Sequence, residues 1–416
     1  MIKGQGKQHP TKMLTAAKVH DDLLSGKTAP NCTIDFYSRT TIANSALAYD
    51  KMLKLGPVVW LECQKMMAVC GHEAVTSVLR DHRCFSSARG VSINEQVNEL
   101  LIGSTLNSDP PDHDKTRSIT FTPLTPKALT NIRERISLEA DRLAERMVKK
   151  RCFDGAAELA PYLPLTIVRD LVGLGGHGKE NMLSWGAATF ELMGDPRERR
   201  EVAISNMTKL REFLEDTATL ENLANEGWAQ RATQRGILEG FDNARAAELM
   251  RDYIAPSLDT TISAIGYAIW LFSNNPDQWT QLRADRSLIK NAIEEIVRLN
   301  TPIRAFSRYT LHDTEVSGVR ITKNSRVLIV FGAANRDPDK FSNPNEFNIK
   351  RNTRGHVGFG HGVHACLGMH LARLEMECLI NALADRVKQF HLTGDVIPGT
   401  NSTIFSFAKV PVRVDI

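Results

Sequence analysis

The stretch GHVGFGHGVHACLGMHLARLE, residues 355–375, surrounds a single cysteine, Cys366, with glycines and histidines, and a run with helical periodicity follows directly. Because glycine has no Cβ, Gly358, Gly360 and Gly362 let the backbone turn tightly and approach a bulky group closely. The amide N–H groups and the dipole of a helix that starts just after Cys366 stabilise a thiolate. A lone cysteine is usually a small buried apolar side chain, but this setting indicates a thiolate held by backbone donors.

A thiolate of this kind, with no neighbouring cysteine to form a disulfide, has the properties that axial ligation of haem iron requires. Zinc is the alternative metal, with His361 and His364 as further ligands beside Cys366. The spacing H-x-x-H-x-C suits no common zinc site. The residues themselves therefore favour haem.

The segment FGHGVHACLG, residues 359–368, resembles the haem-binding loop of the cytochrome P450 family, whose pattern is FxxGxxxCxG. The resemblance extends from about residue 40 to the C-terminus. It implies that Cys366 is the ligand of the iron in haem b and that Phe359 and Gly360 contact the cofactor.

The two propionates of a haem need cations and hydrogen-bond donors. The stretch DPPDHDKTR places His113 and Arg117 four residues apart on one helical face, an arrangement that is also typical of a solvated helix end. In the family that the chain resembles, this DPPxHxxxR motif binds propionates. Arg308 and His364 match the other propionate contacts of that family.

A second local pattern is the pair Glu295 and Arg298, three residues apart in AIEEIVRL. Most such pairs lie on the surface and contribute less than about 1 kcal/mol. In the family, the matching pair is buried, and an arginine from a later irregular segment joins it. We predict that this arginine is Arg336, with Arg351 as the alternative, and that the network supports the cysteine loop.

The stretch IAPSLDTTISAIGYAIW, residues 254–270, places an acid and hydroxyls in an apolar helix, where Asp and Thr are poor choices. A kink stabilised by a threonine hydroxyl is the purely structural interpretation. The resemblance implies that Asp259 and Thr260 relay protons to dioxygen at the haem. Pro256 and Ser257 replace the Ala or Gly and the Gly that the family usually has, so we predict a helix bend that opens a groove for oxygen.

Helical periodicity dominates the chain, and strand signals are few. The predicted helices cover about 128–150, 156–174, 246–274, 286–300 and 367–387, and the predicted strands lie near 56–62, near 318–332 and at the C-terminus. We interpret the polar stretch 218–245 as a loop. The expected fold is mainly α with a smaller β region, a single large cytochrome P450 domain over residues 41–416. An N-terminal extension, residues 1–40, is expected to pack on it or to be partly disordered.

Composition excludes several classes of protein. Of 416 residues, 42% are hydrophobic and 24% are charged, with a net charge of +4, which allows a large core and is too mild for a nucleic-acid-binding protein. The seven cysteines are odd in number and lack a CxxC pair, which is typical of a reducing compartment. Without an apolar signal segment or a run of about 18 apolar residues, we expect a cytoplasmic protein that does not span a membrane.

Among bacterial cytochromes P450, the sequence is most similar to the group that oxidises para-substituted benzoic acids, including O-demethylation of 4-methoxybenzoate. The matching stretches include SSARGVSIN and RDYIAPSLDTT. In that group, the matching arginines and serine lie near the substrate carboxylate, and phenylalanines form the walls around the ring. The residues implied to contact the substrate are Arg89, Ser92, Phe190, Arg251 and Phe306.

Asp252 stands where this group more often has a hydroxyl residue. A carboxylate at this position repels an acid or engages Arg251, so it favours a neutral phenol or methoxy-phenol over a benzoate. Arg89 and Arg251 are equally compatible with ordinary structural roles.

The expected function is that of a cytochrome P450 monooxygenase acting on a small aromatic substrate, by hydroxylation or O-demethylation of a para-substituted aromatic acid or phenol. We expect a monomer that uses O2 and receives electrons from a separate ferredoxin and its reductase, docked near Lys115, Arg354 and Arg373. A terpene hydroxylase of the same family, a peroxygenase and a non-catalytic haem-binding protein are the alternatives. The pair Asp259 and Thr260 disfavours the last two.

Overall fold

The computed structural model describes residues 28–173, 180–217, 222–254 and 256–416. Within these ranges the chain forms eighteen α-helices and thirteen β-strands, joined by turns and short 3₁₀ and π segments. The helices are α1 (Arg39–Ala43), α2 (Ser45–Leu55), α3 (His72–Arg80), α4 (Glu95–Leu100), α5 (Asp112–Phe121), α6 (Pro126–Thr130), α7 (Arg133–Lys150), α8 (Tyr162–Val172), α9 (Met182–Met193), α10 (Arg200–Glu212), α11 (Trp228–Leu238), α12 (Asn243–Glu248), α13 (Arg251–Ile254), α14 (Asp259–Asn274), α15 (Pro276–Ala284), α16 (Ile289–Asn300), α17 (Phe331–Ala334) and α18 (Met369–Arg386). The strands are β1 (Asn31–Cys32), β2 (Val58–Leu61), β3 (Met66–Val69), β4 (Phe85–Ser86), β5 (Cys152–Asp154), β6 (Phe306–Thr310), β7 (Thr314–Val316), β8 (Val319–Ile321), β9 (Arg326–Ile329), β10 (Gln389–Leu392), β11 (Ile397–Pro398), β12 (Phe407–Lys409) and β13 (Pro411–Asp415).

The helices and strands predicted from periodicity are confirmed in α7, α8, α14, α16 and α18 and in β2, β8, β9 and β13. The interpretation of 218–245 as a loop is wrong for α11 and α12, and residues 218–221 lie outside the described residues. Trp228, Ala229 and Ala232 of α11 are buried at helical spacing. Polar residues between these three positions mask the pattern in the sequence.

The largest sheet has the strand order β1-β2-β3-β9-β6-β4. Strand β6 pairs antiparallel with β9 and with β4. Because alternate residues of a strand face the same side, Phe306 and Arg308 point to one face of this sheet. The remaining described strands form the three-stranded sheet β10-β13-β5 and the pairs β11-β12 and β7-β8.

The N-terminal part of the described chain packs on this sheet. Strand β1 pairs in parallel with β2, and Phe36 and Tyr37 are buried. Residues 1–27 of the expected N-terminal extension lie outside the described residues.

Helix α14 runs through the largest apolar core and is buried along most of its length. It packs against α16, against α18 and against the small π segment Gly155–Leu159. In the described part of the chain, no helix combines the length and the apolar character needed to cross a bilayer.

Helix α16 carries an ion pair whose partners, Glu295 and Arg298, have no exposed side-chain surface. The Arg298 guanidinium donates to both carboxylate oxygens of Glu295, at 2.7 and 2.9 Å. Arg351 joins them, with its Nε 2.9 Å from Glu295 Oε1. A carboxylate without solvent contact is thus neutralised by two arginines, one local and one distant in sequence.

The prediction that Arg336 joins this pair is wrong. Its guanidinium donates to the Leu299 carbonyl at 2.9 Å and to Asn345 Oδ1 at 2.6 Å. The last four carbonyls of a helix lack intrahelical donors, and Leu299 is one of them in α16. Arg336 therefore supplies a hydrogen-bond donor to a carbonyl at the C-terminal end of α16 and does not neutralise Glu295.

The ion pair is also connected to the cysteine loop. Arg298 Nη1 donates to the Asn335 carbonyl at 2.7 Å, and Asn335 Oδ1 accepts the Val357 N–H at 2.7 Å. Asn335 Nδ2 in turn donates to Thr301 Oγ1 at 2.8 Å. The backbone that leads to Cys366 is therefore tied to the C-terminal half of α16.

We expect Arg351→Ala to lower the free energy of unfolding by about 3–5 kcal/mol, because it leaves the buried Glu295 carboxylate with a single cation. The matched control is Arg354→Ala, an exposed position in the same segment, for which a change below about 0.5 kcal/mol is expected. Denaturant unfolding of both variants measures the difference. Similar small changes in the two would contradict the structural role of Arg351.

Candidate active site

Cys366 lies in an irregular loop between a single 3₁₀ turn, Gly362–His364, and helix α18. Its backbone N–H donates to the Phe359 carbonyl at 2.7 Å, which closes the loop on itself. Burial raises the pKa of the Cys366 thiol, and the N–H groups of Gly368 and Met369 oppose this rise by donating to the sulfur. These amides belong to the start of α18, so the helix N-terminus supplies the donors that a thiolate needs.

The loop is seated closely on the end of α3. Gly360 and Gly362 both have φ of 70°, in the left-handed region that favours glycine. A Cβ on Gly362 would lie 2.2 Å from the Leu79 carbonyl oxygen, closer than any real contact. Glycine is therefore required at Gly362 by both the backbone conformation and the packing.

Four side chains with cationic or N–H donor groups converge beside the loop: His113 and Arg117 of α5, Arg308 of β6, and His364. The rings of His113 and His364 lie 4.4 Å apart between centroids. Arg117 Nη2 donates to the Ala365 carbonyl at 2.8 Å, next to the cysteine. Burial lowers the pKa of His364 to about 2, and the positive charges of Arg308 and Arg117 add to this effect.

Part of the hydrogen-bonding capacity of this cluster is unused in the protein. Nε2 of His113 and Nε2 of His364 are buried without a hydrogen-bond partner. The buried Arg308 guanidinium donates to the Ser307 carbonyl at 2.8 Å and forms no ion pair in the described part of the chain, and burial lowers its pKa to about 10. Buried donors normally have partners, so the cluster calls for an anionic group. Residues 363–370 are half-buried. The donor set beside them fits haem b with its two carboxylates.

The predicted helix over 246–274 is interrupted, which confirms a break at Pro256. Helix α13 ends, a turn over 256–258 follows, and α14 begins; Ala255 lies outside the described residues. The Thr260 hydroxyl donates to the Pro256 carbonyl at 3.1 Å, four residues back. The groove for oxygen at this break stays a prediction.

Asp259, the first residue of α14, carries an unsatisfied carboxyl group. Its Oδ2 is buried without a hydrogen-bond partner, and burial raises the pKa of this carboxyl to about 7. A carboxyl group in this range takes up and releases protons near neutral pH, which suits general acid–base work. The neighbouring Thr260 supplies a hydroxyl on the same helix turn.

Two of the residues expected near a substrate carboxylate are engaged elsewhere. Arg89 is exposed, and its guanidinium lies 5.3 Å from the centroid of the Tyr309 ring. The buried Ser92 hydroxyl donates to the Met193 carbonyl at 2.9 Å and accepts the Asn94 N–H at 2.9 Å. The Ser92 hydroxyl proton is therefore engaged, whereas the exposed Arg89 guanidinium, which lies over a ring, keeps N–H groups that can bind an anion.

Arg251 and Asp252 adopt different environments although they are adjacent. Arg251 Nη1 donates to the Leu100 carbonyl at 2.5 Å, and its Nη2 lies 2.7 Å from Glu248 Oε2. Asp252 Oδ2 accepts the Thr105 N–H at 3.3 Å. Burial raises the pKa of the Asp252 carboxyl to about 6, which the hydrogen bonding from Thr105 and the charge of Arg251 only partly oppose.

The two phenylalanines expected to grip an aromatic ring meet in one apolar cluster. Phe190 of α9 is buried in it together with Val91 and Ile404, and Phe306 of β6 packs against it. The Phe306 ring also contacts the Phe331 ring edge to face, at 6.0 Å between centroids. The arrangement gives flat apolar surface next to the half-buried Phe306.

Two amide side chains that organise the site escaped sequence reasoning. Asn98 accepts the Ser92 N–H at 2.9 Å and donates to the Ser92 carbonyl at 3.0 Å, which holds the segment after β4. Asn335 connects α16 to the cysteine loop. No local spacing marks either residue, because their partners are set by how the chain folds back on itself.

Three comparisons place the chain among known proteins. A family model described as Cytochrome P450 matches residues 198–403. The chain is 32% identical over 396 residues to cytochrome p450 CYP199A2 of Rhodopseudomonas palustris, covering 94% of this chain and 95% of that protein. It is 28% identical over 372 residues to the cytochrome P450 monooxygenase PikC of Streptomyces venezuelae, covering 86% of each. Among solved structures, it matches cytochrome P450 CYP268A2 of Mycobacterium marinum in complex with pseudoionone with a TM-score of 0.83, at 24% identity over 92% of this chain and 99% of that one, which confirms the predicted fold class.

The seat of the loop on α3 can be tested with Gly362→Ala. We expect a loss of at least about 2 kcal/mol in the free energy of unfolding, because a Cβ meets the Leu79 carbonyl and φ is positive. The control is Gly266→Ala in α14, where the nearest heavy atoms to the new Cβ, in Ala156, are 3.5 Å away; a neutral effect or a gain of up to about 1 kcal/mol is expected. Equal effects of the two substitutions in denaturant unfolding would contradict the argument.

The buried Asp259 carboxyl should make stability depend on pH. Its folded-state pKa of about 7 lies above the ordinary 3.8, so between these values the native state binds more protons than the unfolded state. Stability therefore falls as the pH rises through this window, by up to about 1.4 kcal/mol per pH unit. Because Asn does not titrate, the stability of Asp259→Asn relative to the wild type should increase from about pH 4 to about pH 8. A stability difference that stays constant with pH would show that Asp259 is not protonated in the native state.

Proposed function

The chain belongs to the cytochrome P450 family of haem b-dependent monooxygenases, and we propose that it oxidises a C–H bond of a small aromatic substrate. The observation that supports an aromatic substrate most directly is the apolar cluster in which Phe190 and Phe306 meet. Sites for small molecules are mostly apolar with a few polar groups, and phenylalanine rings pack well against another aromatic ring.

The residues around Cys366 suit the cofactor of this family. We propose that the Cys366 thiolate ligates the iron, with its sulfur held by the N–H groups of Gly368 and Met369. Phe359 and Gly360 are the proposed loop contacts of the porphyrin. The proposed propionate partners are His113, Arg117, Arg308 and His364.

Haem b, when bound, supplies the iron at which dioxygen is reduced and activated. The overall reaction consumes one O2, two electrons and two protons per C–H bond, and yields a C–OH group and one water. For a methoxy group, hydroxylation of the methyl carbon gives a hemiacetal, which releases formaldehyde and leaves a phenol. We propose that Asp259 takes up protons from solvent and passes them through the Thr260 hydroxyl towards the oxygen.

The proposed substrates are para-substituted aromatic acids or phenols, after the group that the sequence resembles. Arg89, Ser92 and Arg251 are the proposed polar contacts in that resemblance. In the structure the Ser92 hydroxyl bonds a backbone carbonyl, Arg251 bonds the Leu100 carbonyl and pairs with Glu248, and Arg89 lies over the Tyr309 ring at the surface. A carboxylate that contacts all three residues therefore requires rearrangement.

We propose a separate ferredoxin as the electron donor of a monomeric enzyme, docked on the side of the cysteine loop. Arg354 is exposed there. Arg373 donates to both carboxylate oxygens of Glu294, at 2.6 and 2.8 Å, and Lys115 donates to the Glu239 carbonyl at 2.5 Å. Of the three expected cations, Arg354 is therefore the one best able to meet an acidic partner.

The test is turnover with a ferredoxin, its reductase and NADH, using 4-methoxybenzoate and 4-methoxyphenol. We expect formaldehyde and the demethylated ring in equal amounts from at least one of them, and Asp259→Asn should lower the rate by about 100-fold with little change in substrate affinity.

The control is Asp385→Asn, which should retain full activity. Asp385 lies at the end of α18, and its side chain is 65% exposed. Oxidation of neither ring, with efficient oxidation of a cyclic terpene, would overturn the proposal. Absence of any substrate-dependent electron consumption would favour a non-catalytic haem protein.

A further inference from the structure

We propose that Arg304 is a positioning residue, whose buried guanidinium fixes the side chains against which the substrate ring packs. We name Phe190, Ile303, Phe306 and Ile404 the substrate cluster, since they meet in one apolar cluster. The inference rests on the proposed aromatic substrate and deepens it, because it assigns the shape of the binding surface to one residue that lies outside that surface.

Arg304 has no exposed surface and bridges two segments that are distant in the sequence. Its Nη1 donates to the Ser402 carbonyl and its Nη2 donates to the Phe36 carbonyl, both at 2.9 Å. The Cζ atom also lies 4.3 Å from the centroid of the Phe36 ring, a distance at which a cation and an aromatic face attract each other. The planar fork of a guanidinium fixes the directions of both hydrogen bonds, so one side chain sets the spacing between the two segments.

The backbone of Arg304 bonds the same segment as its side chain. Its N–H donates to the Thr403 carbonyl at 2.9 Å, and the preceding residue, Ile303, forms an antiparallel bridge with Ile404. Ile303 and Ile404 both belong to the substrate cluster. The Phe36 ring, which the Arg304 side chain contacts, belongs to a different apolar cluster. Arg304 therefore acts through the backbone on two members of the substrate cluster, while its own side chain is directed to other residues.

The segment that Arg304 bonds also supports α9, the helix that carries Phe190. The Ser402 hydroxyl donates to the Glu191 carbonyl at 2.7 Å, next to Phe190 in the helix. A Cβ on Gly194, at the end of α9, would lie 2.5 Å from Ser402 Oγ, so the helix is seated tightly on this segment. A shift at Ser402 therefore displaces Phe190 together with the rest of the substrate cluster.

The charge of Arg304 has no counterion. Among the residues that the structure describes, no carboxylate pairs with this guanidinium, and its Nε is buried without a hydrogen-bond partner. Burial of an unpaired charge is costly, and an apolar side chain of similar volume fills such a position at a lower cost. Proteins keep costly groups of this kind mainly where a functional site needs them. The geometry that Arg304 imposes on the substrate cluster explains why it is there, and stability does not.

The test compares 4-phenylimidazole with imidazole as ligands of the haem-loaded protein, by absorbance titration. Both bind haem iron through the imidazole ring, and 4-phenylimidazole adds an aromatic ring that can pack against the substrate cluster. The ratio of the two dissociation constants therefore reports how well that ring is packed. We expect Arg304→Met to lower the preference for 4-phenylimidazole by about tenfold or more, because lost apolar contact weakens the binding of the added ring alone.

Arg304→Lys is the second variant, because it keeps the positive charge and lacks the planar fork that bonds two carbonyls. It should show a similar loss. Ser402→Ala, which removes only the hydrogen bond to α9, should lower the preference by about threefold. The matched control is Arg286→Met, which should leave the preference unchanged. The Arg286 guanidinium also bonds two backbone carbonyls, those of Arg283 and Asn381, the second of which lies in α18.

Thermal unfolding and the resting absorbance spectrum verify that each variant is folded and carries haem. Turnover of 4-methoxybenzoate and 4-methoxyphenol is measured in parallel, and the product formed per NADH consumed should fall by about tenfold in both Arg304 variants.

An unchanged ligand preference in Arg304→Lys and in Ser402→Ala would overturn this inference and leave the proposed aromatic oxidation intact. A loss in Arg304→Met that is absent from Arg304→Lys would assign the effect to the charge and overturn the role of the fork. Failure of the wild type to oxidise either ring, with a lowered ligand preference in the variants, would overturn the proposed function and leave Arg304 as the residue that shapes the binding surface.

Discussion

The buried carboxylate of Glu295 is the constraint on which the arrangement of the site depends. A charge without solvent contact is tolerated only when cations and donors surround it. Arg298 meets this need from the same helix, and Arg351 meets it from 56 residues further along the chain. Arg298 also donates to the Asn335 carbonyl, and the Asn335 side chain accepts the Val357 N–H in the segment before Cys366. The position of the cysteine loop is thus linked to the pairing of the Glu295 carboxylate. Loss of one of these residues leaves either an unpaired buried charge or a cysteine loop without its hydrogen bonds.

Buried polar atoms without partners occur beside the cysteine loop and at the start of α14. His113 and His364 have buried nitrogens without acceptors, and Asp259 has a buried oxygen without a donor. Such groups cost stability, and proteins retain them where a ligand or a reaction uses them. The unpaired histidine nitrogens lie beside the cysteine loop, where the carboxylates of a cofactor can bind them. The unpaired carboxyl lies at the break between α13 and α14, and its raised pKa suits the proton transfer that we propose for it.

Local regularity explains how much of the fold could be predicted. Apolar residues recur at helical spacing through α7, α16 and α18, and these helices were predictable because their apolar faces are long and nearly unbroken. Helix α11 was not, since its buried positions are small or isolated among polar residues. In the site, Cys366, Asp259 and Thr260 could be recognised because each belongs to a short motif. The sequence could not show whether Arg351 or Arg336 pairs with Glu295, because both arginines lie in irregular segments and differ only in the groups that they contact in the folded chain.

The cysteine loop, the helix break at Pro256 and the mainly α fold could be predicted from the order of residues, since these features depend on backbone conformation and on residues within one or two turns of each other. Which arginine neutralises Glu295, and that Arg251 turns to Glu248, became evident in the folded chain alone. The physical reason is that burial and charge pairing are properties of the assembled surroundings. The neighbouring residues in the sequence set the local backbone conformation of a residue. Tertiary packing decides which distant groups lie close enough to bond its side chain.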